Sequence, residues 1–132
     1  LEIRIKNLGP DHMEVAVSLN NLAVLYDAWR NLPEAEKLHK RALEILEKNL
    51  GPNHPNVATS LNNLAGIYKT QGYFAEAEPL YLRALAIREQ HFGPTHPCVA
   101  VVLRNLGTLY KRAGRLEQAK KYKERARKIM KR

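Results

Sequence analysis

The stretch LGPNHPNVATSLNNLAGIYKTQGYFAEAEPLYLRALAIREQH, residues 50–91, decides the fold. In its first half Val57, Leu61, Leu64, Ala65 and Tyr68 recur at i, i+4, i+7, i+8 and i+11, which is one face of a helix. After Gly72 the same period resumes through Ala77, Leu80, Tyr81, Ala84 and Leu85. Two amphipathic helices joined by a glycine turn are therefore predicted. Gly51 reads as the left-handed residue that ends the preceding helix, and Pro55 as a first-turn residue whose missing N–H costs nothing. Gly93, Pro97 and Pro33 read the same way at their own boundaries. Pro79 falls in the second turn of its helix, which predicts a slight bend or a loosened first turn.

The unit recurs on both sides. LGPDH begins at Leu8, LGPNH at Leu50 and FGPTH at Phe92, 42 residues apart each time. Residues 8–49 share 22 of 42 positions with residues 50–91, and residues 92–132 share 16 of 41. The opening LEIRIKNL (1–8) matches LEILEKNL (43–50), so the chain reads as the tail of one repeat (1–8) and three further repeats, 9–50, 51–92 and 93–132. One helical hairpin cannot bury both of its faces. Stacked hairpins share a continuous core, and an array needs about three units to do so. An all-α stack follows: six full helices, preceded by a truncated one over 1–8.

Composition fits this reading. Of 132 residues 45% are apolar, enough for a core, and no run of 18 apolar residues marks a membrane span. No signal-peptide pattern is present, and the chain opens on Leu1 in mid-helix, like a piece cut from a longer protein. The lone Cys98 cannot form an internal disulfide, which suits a reducing compartment, and it aligns with Glu14 and Asn56 at a position expected to be exposed. The net charge of +9 is uneven: residues 1–90 carry 10 Lys/Arg against 11 Asp/Glu, residues 91–132 carry 12 against two.

The pattern L-A-x-x-Y, then G, then A-x-x-x-Y-x-x-A, carried by Leu64, Ala65, Tyr68, Gly72, Ala77, Tyr81 and Ala84, resembles the tetratricopeptide repeat. The first repeat keeps Leu22, Ala23, Tyr26, Ala35 and Ala42, with Arg30 and His39 at the Gly and second Tyr positions. The third keeps Leu106, Gly107, Tyr110, Gly114, Ala119 and Ala126, with Lys123 at that Tyr position. The 42-residue length and the phrases LGPNHPNVATSLNNLAGIY and EAEPLYLRALAIRE resemble the kinesin-light-chain type, shared with nephrocystin-like and bacterial repeat proteins. The resemblance implies a right-handed α-solenoid whose first helices line a concave groove. It implies a cytoplasmic protein–protein adaptor that holds an extended, acidic peptide there, with no cofactor and no metal.

On that reading the groove runs from Val17, Asn20, Asn21, Val24, Asp27 and Ala28, through Thr59, Asn62, Asn63, Gly66, Lys69 and Thr70, to Val101, Arg104, Asn105, Thr108, Lys111 and Arg112. Asn21, Asn63 and Asn105 recur in register although Asn is a poor helix-interior residue. An amide both donates and accepts, so such a row could grip a peptide backbone, or it could tie neighbouring helices together. Lys69, Arg104, Lys111 and Arg112 could hold carboxylates, or form an ordinary solvated basic face. The resemblance matches Asn63 and Asn105 to groove asparagines of the kinesin-light-chain type, Lys69 and Lys111 to a basic groove position, and Arg88 to the arginine of its A-L-x-I-R phrase. Asp27 and Leu46 depart from the last two positions, and Val17, Thr59 and Val101 stand where that family carries a lysine.

Other features read more plainly. His12, His54 and His96 recur every 42 residues, but equivalent loops lie ~10 Å apart, too far to share a zinc. They read as capping residues. Trp29 stands near a helix end and reads as loop packing or a partner contact. The final LEQAKKYKERARKIMKR has Arg127 where Leu43 and Leu85 stand, the polar face of a terminal cap, so a monomer is expected, with end-to-end association as the alternative. Its basic charge leaves nucleic acid or an anionic surface as the rival partner. No nucleophile–base pair, phosphate loop or HExxH occurs, so an enzyme is not expected.

Overall fold

The computed structural model describes residues 13–131, with side chains from Ala16 onward. The predicted truncated helix over 1–8 and His12 lie outside the described residues. Within them six helices follow one another: α1 (Met13–Ala28), α2 (Leu32–Leu50), α3 (Pro55–Gln71), α4 (Phe74–Phe92), α5 (Pro97–Arg112) and α6 (Leu116–Met130). They form three hairpins, α1 with α2, α3 with α4 and α5 with α6. Each second helix also packs on the first helix of the next hairpin, and α3 touches α5 directly.

The boundaries follow from local chemistry. Pro55 and Pro97 open α3 and α5. Ahead of each a histidine acts as the cap: in extended conformation, the His54 and His96 Nδ1 atoms accept from the N–H of Asn56 and Cys98, both at 3.0 Å. This satisfies one of the orphan donors of a helix start. Pro79 sits in the second turn of α4, and the helix runs through it. The turn inside each hairpin is a Schellman motif in register. Gly72 donates to Lys69 O and Tyr73 to Tyr68 O, at 3.0 and 2.9 Å; Gly114 and Arg115 repeat this at 3.2 and 2.8 Å. In the first hairpin Arg30, with φ +62, occupies the glycine position. Gly51 and Gly93 differ from the expected left-handed cap. Their φ is positive, at 88° and 87°, but ψ is 162° and 159°, because the chain leaves these helices extended toward the next proline.

The core is the stripe of the repeat. Leu61, Leu64, Leu103, Leu106, Tyr81 and Tyr110 are buried, and the small positions Ala23, Ala65, Ala35, Ala77, Ala42 and Ala84 are sealed completely. Small residues here let helices approach. At Gly107 no side chain fits: an added Cβ would lie 2.5 Å from Lys123 Cγ and 3.3 Å from the Ala119 carbonyl oxygen. On the second helices, Arg83 pairs with Glu47 at 2.7 Å and Arg125 with Glu89 at 2.9 Å, the same contact one repeat apart. No helix of the described residues is long and apolar enough to cross a membrane.

Candidate functional site

The face that α1, α3 and α5 present away from the core carries the predicted site residues other than Arg88, and it uses them unequally. Asn105 Nδ2 donates to Asn62 Oδ1 at 3.0 Å, a bond between α5 and α3. Asn20 Oδ1 accepts from His39 Nδ1 at 2.9 Å, which ties α1 to α2. Because an amide oxygen only accepts, His39 must carry its proton on Nδ1. Asn21 is exposed and Asn63 half-buried, and neither bonds its side chain to a described residue. The row is therefore mixed. Asn20, Asn62 and Asn105 brace the stack and keep part of their hydrogen-bonding capacity. Asn21 and Asn63 spend none of it on a described residue.

Arg88 lies deeper than a ligand contact needs to. From α4 its guanidinium donates to the Cys98 carbonyl at 2.8 Å and to Thr59 Oγ1 at 3.3 Å, which bridges α5 and α3. Burial lowers its pKa, with the Cys98 side chain opposing. Cys98 itself is half-buried rather than exposed, and burial raises its thiol pKa. Thr59, Thr70 and Thr108 turn their hydroxyls back onto the carbonyls of Pro55, Gly66 and Arg104, at 3.5, 2.9 and 3.1 Å.

The cations form the most distinctive cluster. Lys69 Nζ lies 5.7 Å from the centroid of the Tyr81 ring, and Arg112 Nη1 donates to the Lys69 carbonyl at 2.8 Å. The Arg112 guanidinium also stacks 5.5 Å over Phe74. Lys69 is half-buried, and its pKa is lowered, first by desolvation and then by the neighbouring Arg112 charge. Lys111 and Arg104 are exposed on α5, each bordering a depression against α6. Among the described residues no carboxylate pairs with Lys69, Arg104, Lys111 or Arg112, whereas Arg83, Arg115 and Arg125 each hold a glutamate. In the first repeat Asp27 takes the Lys69 position, so positive charge grows toward the C-terminal end.

Residues 1–48, 30–90 and 71–132 match the tetratricopeptide-repeat family, which together span the chain. The chain belongs to the tetratricopeptide-repeat family. Its repeats form the α-solenoid of that family, of the kinesin-light-chain-like type. BtubC (BKLC) from P. vanneervenii superposes with a TM-score of 0.90 at 32% identity, over 98% of this chain and 52% of that one. A Podosopora anserina structure of nearly identical TPR-like repeats, assigned to kinesin light chain, gives a TM-score of 0.81 at 28% identity, over 98% of this chain and 61% of that one. Mouse nephrocystin-3 is 50% identical over 42 residues, 32% of this chain and 3% of its own length. The chain thus spans about half to three-fifths of the solved tetratricopeptide structures it resembles. Tetratricopeptide repeats indicate a protein–protein interaction scaffold.

Sequence reading missed the His39–Asn20 bond and the structural use of Arg88. The only signal for either was a break in register: His39 where Tyr81 stands, and Leu46 where Arg88 stands. Trp29 is 67% exposed and meets Tyr26 edge-on at 5.7 Å, so it is not packed into the loop. On α6, Arg127 is exposed and Nε donates to Glu124 at 3.1 Å.

Proposed function

We propose that the concave face binds an extended acidic segment of a partner protein, in the manner of a kinesin-light-chain-like cargo adaptor at work in the cytoplasm. The carboxylates meet Lys69, Lys111 and Arg112. Asn63 and Asn21 hold the peptide backbone. The observation that carries this reading is the unpaired state of Lys69, Lys111 and Arg112 on the inner face: none has a carboxylate partner among the described residues, whereas the outer-helix arginines Arg83 and Arg125 each hold a glutamate in register. Lys69 and Arg112 are held close together although they repel, and Lys69 is partly desolvated. A carboxylate placed there relieves both penalties and makes charge-assisted hydrogen bonds.

Titration of acidic peptides against Lys69→Glu and Asn63→Ala tests the proposal. A hydrogen bond to a charged group is worth roughly 1.5–3 kcal/mol and a neutral one roughly 0.5–1.5. At about 1.4 kcal/mol per decade, Lys69→Glu should weaken binding ~10- to 100-fold and Asn63→Ala ~2- to 10-fold. Neither should unfold the array, because both side chains lie off the Leu64/Ala65 stripe. Folded variants that bind like the parent would move the site to the outer face or the loops. The basic α6 could instead serve nucleic acid or an anionic surface. That reading requires RNA or anionic vesicles to bind more tightly than the peptides, with a steep salt dependence that follows charge reversal on α6.

A further inference from the structure

The glutamates that clasp each hairpin to the next have no counterpart on α6. Arg83 of the second hairpin holds Glu47 of the first, and Arg125 of the third holds Glu89 of the second. A second register position on the same helices is Glu36 and Glu78. Glu78 accepts from Tyr110 Oη at 2.6 Å and from Arg115 at 3.2 Å, both of the following hairpin. Glu36 holds Lys40, which lies over the ring of Tyr68 in its own following hairpin. On α6 both positions are reversed. Lys131 stands in the register of Glu47 and Glu89, and Lys120 in that of Glu36 and Glu78. Lys123 and Arg127 lie between them, where α4 has Tyr81 and Leu85. Among the described residues only Arg127 of these four forms an ion pair, with Glu124 of its own helix.

The surface that these cations border is open and partly apolar. Two depressions of about 440 and 360 Å³ lie between α5 and α6, and both are lined by Lys123 and Arg127, so they adjoin as one trough. Its floor includes the buried Ala119 and Ala126. Leu116 and Met130, 63% and 53% exposed, stand at opposite ends of α6, ~21 Å or about four helical turns apart. At both internal junctions the corresponding surface is covered by a helix, α3 packing on α2 and α5 on α4. The shape therefore suits a helix. The charge excludes one of the array's own hairpins: a second copy stacked end to end would bring Arg41, in the register of Arg83 and Arg125, against Lys131. Opposed like charges of this kind select against a partner. We infer that the trough docks an acidic amphipathic helix of a partner protein, about four turns long, whose apolar stripe covers Leu116 and Met130 and whose carboxylates meet Lys120, Lys123 and Lys131. A nucleic-acid backbone would answer the charge and leave both apolar side chains uncovered. The inference is independent of the concave-groove reading, since an extended peptide held by Lys69 and Asn63 needs none of the α6 lysines.

The probe is a fluorescein-labelled, hydrocarbon-stapled helix of about four turns, with Leu at helical spacing and Glu on either side of that stripe. Its controls are an unstapled version with two central prolines, which cannot be helical, a Lys-for-Glu version, and single-stranded poly(U) RNA. The protein is the whole chain, together with Lys120→Glu/Lys131→Glu, which restores the glutamates of the internal registers, and Met130→Ser. All three side chains are exposed, and melting curves confirm the fold; if one variant does not fold, the other decides. Anisotropy should show saturable binding of the acidic helix, ~10-fold or more tighter than the proline version. The double charge reversal should weaken it ~10-fold or more, and Met130→Ser ~2- to 10-fold. The inference is overturned if the proline or Lys-for-Glu version binds as tightly, if a folded variant of either kind binds like the parent, or if the acidic helix does not saturate. Poly(U) bound more tightly than the helix, and released by the double reversal, would make this end a polyanion surface instead.

Discussion

Arg30 is an L-residue held at φ +62 in a turn whose two counterparts are glycines, Gly72 at +86 and Gly114 at +83. The turn is otherwise the same, since Arg30 donates to Asp27 O at 2.9 Å and Asn31 to Tyr26 O at 2.8 Å. The Arg30 side chain forms no ion pair with a described residue that would offset its backbone conformation. A left-handed L-residue costs roughly 1–2 kcal/mol. Glycine returns about 0.4–1 kcal/mol of that through the freedom of its unfolded chain. Arg30→Gly should therefore stabilise the array by about 0.5–1 kcal/mol, a rise in Tm of roughly 2–5 °C for a chain of this size. The reciprocal change isolates the same term: a Cβ on Gly72 meets nothing within 4 Å, so Gly72→Ala should lose about 1 kcal/mol through the backbone alone. Urea melts followed by circular dichroism read the whole array. Fluorescence of Trp29, the single tryptophan and the neighbour of Arg30, reads the first hairpin. An Arg30→Gly variant no more stable than the parent, beside a Gly72→Ala variant that is weakened, would mean that Arg30 has a compensating contact and refute the reasoning.

Three further outcomes are expected. His39 is buried, and its pKa lies below the ordinary 6.5, chiefly through desolvation, with Asp27 opposing. The unfolded chain therefore binds the proton first, so this residue's contribution to stability is intact above about pH 6.5 and declines as the pH falls below that value. His39→Tyr, which copies Tyr81, should remove that part of the slope in urea midpoints measured from neutral to mildly acidic pH. Arg88→Ala should destabilise the array by about 1–2 kcal/mol, because charge-assisted bonds to Cys98 O and Thr59 Oγ1 are lost from a half-buried site; a denaturant midpoint equal to the parent's would assign Arg88 to ligand binding rather than to the scaffold. Arg127→Leu should leave the melting temperature of the monomer unchanged and promote association by sedimentation velocity, since it makes the end face apolar where Leu43 and Leu85 are covered by the next hairpin. A marked fall in monomer stability would show that the Arg127–Glu124 pair is structural.

What the sequence determined by itself is the repeat. The 42-residue spacing of LGPDH, LGPNH and FGPTH, the helical period of Leu61, Leu64 and Ala65, and the Gly and Pro breaks specify hairpins that can bury their faces only by stacking. These are local, periodic signals, and each is repeated often enough to be read without coordinates. Tertiary structure alone decided which members of a repeated set do the same work. Asn20, Asn62 and Asn63 look alike in sequence, yet Asn20 is bonded to His39, Asn62 to Asn105, and Asn63 to no described side chain. Arg88 and Leu46 share a register, yet one bridges two helices and the other floors a notch. The reason is physical. Periodicity places a side chain on a face, but its partners come from other helices of the same hairpin or the next, across 10 to 43 positions of sequence, and a single substitution there changes which atoms lie within hydrogen-bond reach.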